Sequence, residues 1–117
     1  MAKQPINLAL VGAGRIGSFH AETVVNRLVD THLVAIADPA PGAADRLADK
    51  LECPLAATDV DAVLADPSVD GVLITTPACF HAGLVEKAAL AGKAVFCEKP
   101  MALSLDEADK AIAAAND

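Results

Sequence analysis

Short apolar runs alternate along this chain with longer stretches in which apolar residues recur every three or four positions. The runs cover 6–11, 33–37, 71–75 and 94–97, and a shorter one lies at 55–57. The stretches with helical spacing cover 15–30, 43–51 and 80–91, and two more open near 58 and 104. Segments of strand length and helical segments therefore take turns from one end of the chain to the other.

This alternation predicts an α/β domain built on a parallel sheet. The strand candidates are continuously apolar instead of alternating with polar residues, which is typical of strands covered by helices on both faces. Thr58–Asp61 and Ser104–Glu107 have the spacing of capping boxes, and Gly92 is placed to end a helix. The last two helices are expected to pack through two stripes: Phe80, Leu84 and Ala88, then Leu105, Ala108, Ile112 and Ala115.

Composition narrows the class of protein. The chain has 117 residues, the size of one domain, so we expect 1–117 to form a single unit. Apolar residues make up 54% and aromatic residues 3%, so small aliphatic side chains must fill the core. The net charge of −7 disfavours binding to nucleic acid or to an anionic membrane surface.

The cysteines and histidines show no metal-binding spacing. Cys53, Cys79 and Cys97 form no Cys-x-x-Cys pair, so we expect free thiols and no metal. Neither a signal peptide nor an apolar run of membrane-spanning length is present, so the expected compartment is the cytoplasm.

A glycine-rich loop joins the first strand to the first helix. Gly12, Gly14 and Gly17 have the spacing G-x-G-x-x-G, with Arg15 and Ile16 inside it. In this position the three glycines suit a tight turn, a close approach of pyrophosphate and close packing of helix on strand. The helix N-terminus adds free N–H groups for the phosphates. The loop predicts a Rossmann-type, doubly wound sheet that binds a dinucleotide; a tight helix–sheet turn without a ligand is the alternative.

An acid ends the second strand at the distance expected for ribose recognition. Asp38 follows Gly17 by 21 positions, and a carboxylate there accepts hydrogen bonds from ribose hydroxyls. It would repel a 2′-phosphate, and Arg46 is the only base nearby. NAD is therefore expected in preference to NADP.

Two further tripeptides follow strands of the predicted sheet. Thr75-Thr76-Pro77 comes after the fourth strand and Glu98-Lys99-Pro100 after the fifth. Together with the glycine loop, they make the whole chain resemble the N-terminal half of the Gfo/Idh/MocA oxidoreductases, and within that family the inositol 2-dehydrogenase-like members. The resemblance also rests on Gly14–Gly17 with His20, on Ala37–Pro39 and on Leu103–Ala108.

The resemblance implies roles for these residues. Thr75, Thr76 and Pro77 would line the cofactor, Glu98 would contact the nicotinamide ribose, and Lys99 would reach that ribose and the substrate hydroxyl as the catalytic residue. The bond before Pro100 would be cis. One departure from the family pattern is Ala78, where Asn is frequent.

The sequence leaves open the roles of the histidines and the functional class of the protein. His81 is expected to cap or pack, with substrate contact as the alternative; His20 is expected to pack on the sheet, and His32 to lie on the surface. The resemblance also implies a second domain that carries the substrate pocket, the dimer sheet and a histidine base; this chain is expected to lack that domain and to be inactive by itself. The expected enzyme is thus a homo-oligomer that transfers a hydride between NAD and a polyol or sugar. A non-catalytic NAD-binding regulator and an amino-acid-pathway reductase are the alternatives, and Glu98-Lys99-Pro100 argues against both.

Overall fold

The computed structural model describes residues 4–116. The strands are β1 (Ile6–Val11), β2 (Thr31–Ala37), β3 (Ala56–Ala57), β4 (Gly71–Ile74) and β5 (Ala94–Cys97). The helices are α1 (Arg15–Arg27), α2 (Ala43–Leu51), α3 (Val60–Ala65), α4 (His81–Leu90) and α5 (Leu105–Asn116), and a 3₁₀ turn at Ala78–Phe80 leads into α4. Within this range no helix is both long and apolar enough to cross a bilayer.

The five strands form one parallel sheet in the order β3-β2-β1-β4-β5. This order reverses between β1 and β4, because the chain first builds outward on one side of β1 and then on the other. Such a switch point opens a crevice at the carboxyl ends of the strands, where ligands of open α/β sheets bind. The predicted fold class, a Rossmann-type doubly wound parallel sheet, is confirmed.

Helices cover both faces of the sheet, and each face has its own apolar cluster. Ala9, Val72 and Ile74 point to a cluster that includes residues of α3, α4 and α5. Leu10 and Leu73, which alternate with them, point to a second cluster with α1 and α2. Because successive side chains of a strand point to opposite faces, a central strand covered on both sides must be continuously apolar. The apolar runs in the sequence have this origin.

Several predicted boundaries and caps differ from those observed. The first helix ends at Arg27 and not near residue 30. The cap of α3 is Asp59 and not Thr58: its Oδ1 accepts a hydrogen bond of 3.3 Å from the backbone N–H of Ala62. The fourth predicted helix begins as the 3₁₀ turn, which turns Phe80 outward, so Ala82, Val85 and Ala88 form the packed face.

The last strand and helix are less buried than their sequences predicted. Among the described residues β5 pairs only with β4, and Phe96 is 50% exposed. On α5 the stripe prediction was wrong: Leu105 is 84% exposed, while Ala111 is buried. The predicted cap of α5 is present, since the Glu107 N–H donates to Ser104 Oγ at 3.2 Å, but the Glu107 carboxylate accepts from the N–H of Leu103.

Candidate functional site

A cleft of about 740 Å³ opens at the carboxyl ends of the central strands. Its walls are the loop after β1, the end of β2 and the loop after β4, together with one side of α4 and Val60 of α3. These segments lie far apart in sequence and meet because β1, β2 and β4 are neighbours in the sheet. Eight of the predicted site residues line it: Gly12, Gly14, Arg15, Ile16, Asp38, Thr75, Thr76 and Pro77.

Each of the three glycines in the loop has a different structural role. Gly12 has φ +102°, and a Cβ there would lie 2.6 Å from the backbone carbon of Thr75. A Cβ on Gly17 would overlap the carbonyl oxygen of Gly12. At Gly14 a Cβ would meet nothing within 4 Å, so this backbone faces open space. The turn and the packing therefore require Gly12 and Gly17, while Gly14 leaves room for a ligand.

The N-terminus of α1 suits an anion. Gly14 precedes the helix without a capping side chain, and no acidic residue lies in the first turn. The first N–H groups of α1 and the positive end of its dipole are therefore available to a phosphate. Arg15 and Ile16 are exposed beside them. This end of the cleft fits the pyrophosphate of a dinucleotide.

Asp38 lies at the end of β2 and holds the glycine loop. Its Oδ2 accepts a hydrogen bond of 2.7 Å from the N–H of Ala13, and its Oδ1 accepts one of 2.8 Å from the N–H of Ala40. A carboxylate has about four acceptor positions, so capacity remains for two ribose hydroxyls. Arg46 is exposed and is not among the residues that line the cleft.

Thr75 fastens the loop after β4 to the glycine loop. Its N–H donates to the carbonyl of Val11 at 2.9 Å, and its Oγ1 donates to the carbonyl of Gly12 at 2.8 Å. Thr76 and Pro77 follow at the mouth of the cleft. Thr75 thus shapes the floor of the site through its own hydrogen bonds, a role that the tripeptide alone did not reveal.

Glu98, Lys99 and Pro100 lie at the end of β5, next to the residues that line the cleft but not among them. The N–H of Glu98 donates to the carbonyl of Ile74 at 3.0 Å, which extends the sheet by one residue. The Lys99–Pro100 bond is cis, as the resemblance implied. Lys99 is exposed, and among the ion pairs of residues 4–116 none includes it.

The side chain that pairs with Glu98 is His20 and not the ammonium group of Lys99. His20 Nε2 lies 2.8 Å from Glu98 Oε2, and because a carboxylate only accepts, Nε2 carries the proton. The hydrogen bond from His20, followed by one from the Lys99 N–H, holds the pKa of Glu98 below its usual value. The His20 ring also meets Phe96 edge-on, with centroids 5.3 Å apart. His20 therefore orients Glu98. This contact was not predicted from the sequence, where the available signal was the position of His20 one turn after Gly17.

His81, at the start of α4, is 2% exposed. Its Nδ1 lies 2.7 Å from the carbonyl oxygen of Pro100, and its Nε2 lies 2.7 Å from that of Thr76. The prediction of a packing role is confirmed, but the link between two site loops was not foreseen. His32 is exposed, as predicted. Across residues 4–116 no three His, Cys, Asp or Glu side chains gather as metal ligands.

Comparison with known proteins agrees with this geometry. Residues 6–117 match the model of the Gfo/Idh/MocA family, described as an oxidoreductase family with an NAD-binding Rossmann fold. The chain belongs to this family. Gfo/Idh/MocA membership accounts for the glycine loop and for the Rossmann sheet.

Two curated relatives and one solved structure show which Gfo/Idh/MocA proteins the chain is similar to. It is 44% identical to inositol 2-dehydrogenase of Rhizobium meliloti over 86% of the chain and 30% of that protein. It is 39% identical to scyllo-inositol 2-dehydrogenase (NAD(+)) of Bacillus subtilis, over 91% of the chain and 31% of that protein. The solved structure is that of scyllo-inositol dehydrogenase from Lactobacillus casei with bound NAD(H) and scyllo-inositol. It superposes on the chain with a TM-score of 0.90 at 28% sequence identity, and the match covers 97% of the chain and 33% of that structure. The chain therefore spans about a third of the length of these relatives.

The packing of Gly17 leads to a prediction on stability. Gly17→Ala would gain helix propensity, but its Cβ would meet the backbone of Gly12, which cannot move aside as a side chain can. We expect the free energy of unfolding to fall by about 1–3 kcal/mol, measured by urea denaturation. Gly83→Ala on α4 is the matched control: its Cβ meets nothing within 4 Å, and it should raise stability by about 0.5–1 kcal/mol. Equal changes in both variants would refute the packing role of Gly17.

Proposed function

We propose that this chain is the cofactor-binding half of an NAD-dependent dehydrogenase that transfers a hydride between the cofactor and a secondary alcohol of a polyol or sugar such as inositol. The observation that carries the proposal is the position of Glu98, Lys99 and Pro100. They stand at the carboxyl end of β5, beside the strand whose end forms the cleft floor. The names of the curated relatives support a polyol substrate.

In this proposal each part of the cleft holds one part of the cofactor. The glycine loop and the first N–H groups of α1 bind the pyrophosphate, and Asp38 accepts hydrogen bonds from the adenosine ribose. Thr75, Thr76 and Pro77 lie along the middle of the dinucleotide. Glu98, oriented by His20, accepts from the nicotinamide ribose. NAD itself supplies the hydride acceptor, C4 of the nicotinamide ring.

Lys99 is the residue that acts on the substrate. It is exposed at the strand end, where the ammonium group can donate to the hydroxyl oxygen of the substrate. Once the hydroxyl proton has been lost, the oxygen carries negative charge until the C–H hydride leaves and the carbonyl forms, and a donor placed there stabilises that charge. The hydroxyl proton leaves to a base in the rest of the protein, which also provides the substrate pocket. Residues 1–117 thus form one functional unit of a homo-oligomeric, cytoplasmic enzyme.

A non-catalytic NAD-binding regulator is the second candidate. The exposed apolar surface of β5 and α5, including Phe96 and Leu105, would suit docking in either case, so it does not discriminate. Lys99 discriminates between the two candidates. The pyrophosphate and the adenosine ribose already have their binding groups, so a sensor has no use for a lysine directed at a substrate hydroxyl.

The test is turnover by the whole protein that contains this chain. We expect NADH to form from NAD with at least one substrate among myo-inositol, scyllo-inositol and a panel of sugars, and its absorbance measures the rate. Binding of NADH without turnover of any member of the panel would favour the regulator. Absence of NADH binding would refute the assignment of the cleft.

A further inference from the structure

His81 is a buried titratable group to which the proposed chemistry gives no role. It joins two segments that are separate in sequence, the loop after β4 through Thr76 and the loop after β5 through Pro100. With 2% exposure, the ring has no access to solvent that could supply other partners. Both loops carry residues of the proposed site.

The two contacts determine which protons the ring carries. A carbonyl oxygen only accepts, and a neutral imidazole has one N–H and one bare nitrogen. In either neutral tautomer, one bare nitrogen would face a carbonyl oxygen at 2.7 Å, lone pair against lone pair. Both distances are shorter than the usual N–H···O length of about 2.9–3.0 Å. Only a ring with a proton on each nitrogen gives both carbonyl oxygens a donor.

Two effects oppose a positive ring at this place, and the two hydrogen bonds act against both. Burial disfavours a charge that has no ionic partner, and the hydrogen bonds at both nitrogens lower that cost. The N-terminal end of α4 also disfavours a cation, but the helix dipole is worth less than hydrogen bonds from a charged donor. Charge-assisted hydrogen bonds are roughly twice as strong as neutral ones.

We propose that His81 is a positioning residue, an imidazolium that ties the carbonyls of Thr76 and Pro100 together and so fixes Lys99 relative to the nicotinamide end of the cleft. Lys99 directly precedes Pro100, so a shift of the Pro100 carbonyl moves the backbone from which the Lys99 side chain extends. Thr76 lines the cleft itself. The inference rests on the proposed function for the role of Lys99, but the ring state and the loop link do not depend on it.

The ring state is tested in the chain with ¹⁵N-labelled histidine. We expect both ring nitrogens of His81 to show the chemical shifts of N–H-bearing nitrogens near neutral pH, with the resonances assigned by their loss in His81→Gln. A bare-nitrogen shift for either Nδ1 or Nε2 would overturn the proposal. His32, exposed on β2, serves as the internal reference for a histidine in solvent.

The link between the loops is tested by hydrogen exchange in His81→Gln, whose single amide nitrogen replaces the two ring nitrogens that reach the two loops. We expect amides at 75–80 and at 98–103 to lose protection together, while those of α2 keep theirs; His32→Gln should change neither loop. Loss in one loop alone, or in neither, would overturn the link.

In the active whole protein His81→Gln should lower kcat about 10- to 100-fold, as expected for a misplaced reacting group, and NADH affinity only severalfold. An unchanged kcat would refute the positioning role. An inactive wild type would refute the proposed function. In that case the nitrogen chemical shifts and the hydrogen exchange of the chain would still decide the ring state and the loop link.

Discussion

Lys99→Ala in the whole protein is expected to lower kcat by about 10²- to 10⁴-fold and to change the dissociation constant of NADH only severalfold. A well-placed group that assists proton transfer contributes on this scale. The cofactor should keep its other contacts, because in the proposed binding mode the pyrophosphate would lie on Gly12, Gly14 and the start of α1, which are distant from the Lys99 side chain in sequence. Steady-state kinetics with the best polyol, beside a fluorescence titration of NADH, measure the two quantities separately.

Two lysine variants make this result specific. Lys50→Ala removes an exposed lysine on α2 that pairs with Glu22 at 2.8 Å, away from the strand ends, and should leave both constants unchanged. Lys99→Arg keeps the positive charge with a different donor shape and should recover only part of kcat. Nearly full kcat in Lys99→Ala would show that Lys99 is an ordinary surface lysine. A parallel loss of kcat and NADH affinity would show that it mainly holds the nicotinamide ribose.

Asp38→Ala is expected to weaken NAD binding by about ten- to a hundredfold, because hydrogen bonds to a charged group contribute about 1.5–3 kcal/mol. The structure adds a second reason. Asp38 also accepts from the N–H groups of Ala13 and Ala40, so its removal frees the glycine loop as well as the ribose hydroxyls. Wild-type protein should bind NAD(H) more tightly than NADP(H), since a 2′-phosphate would face the same carboxylate.

Calorimetric titration with both cofactors tests this prediction. Asp45→Ala, which removes an exposed carboxylate from the first turn of α2, controls for the loss of one negative charge. Equal or tighter binding of NADP(H) by the wild type would refute the assignment of Asp38. The same affinity loss in Asp45→Ala would attribute the effect to overall charge.

The order and type of the elements could be predicted from the sequence because they depend on local patterns. A run such as 6–11 is continuously apolar when both of its faces are buried, and a helix such as Ala43–Leu51 shows its own periodicity. The glycine loop is also a local signal. Gly12 needs a positive φ and Gly17 needs close packing, and no other residue satisfies either requirement without strain. Fold class and cofactor cleft were therefore predictable.

Burial at the sheet edge was not predictable, because it depends on what covers a segment. The apolar runs at 94–97 and in α5 resemble the central ones, yet Phe96 and Leu105 are exposed in the described part of the chain. Hydrophobicity gives the face that a segment would bury, while neighbours decide whether it is buried. The choice of Asp59 over Thr58 as a cap depended in the same way on where the backbone entered α3.

The sequence by itself determined the strand–helix alternation, the glycine loop and the set of polar residues at the strand ends. Only the tertiary structure decided which of these side chains meet. His20 and Glu98 are 78 positions apart, and their 2.8 Å contact arises because the end of α1 that follows β1 faces the end of β5 across β4. His81 reaches Thr76 and Pro100 for a similar reason, since α4 packs between the two strand ends that precede these loops. Periodicity reports which face of an element is apolar, but contacts between distant residues depend on sheet order and register, which form only when the whole domain folds.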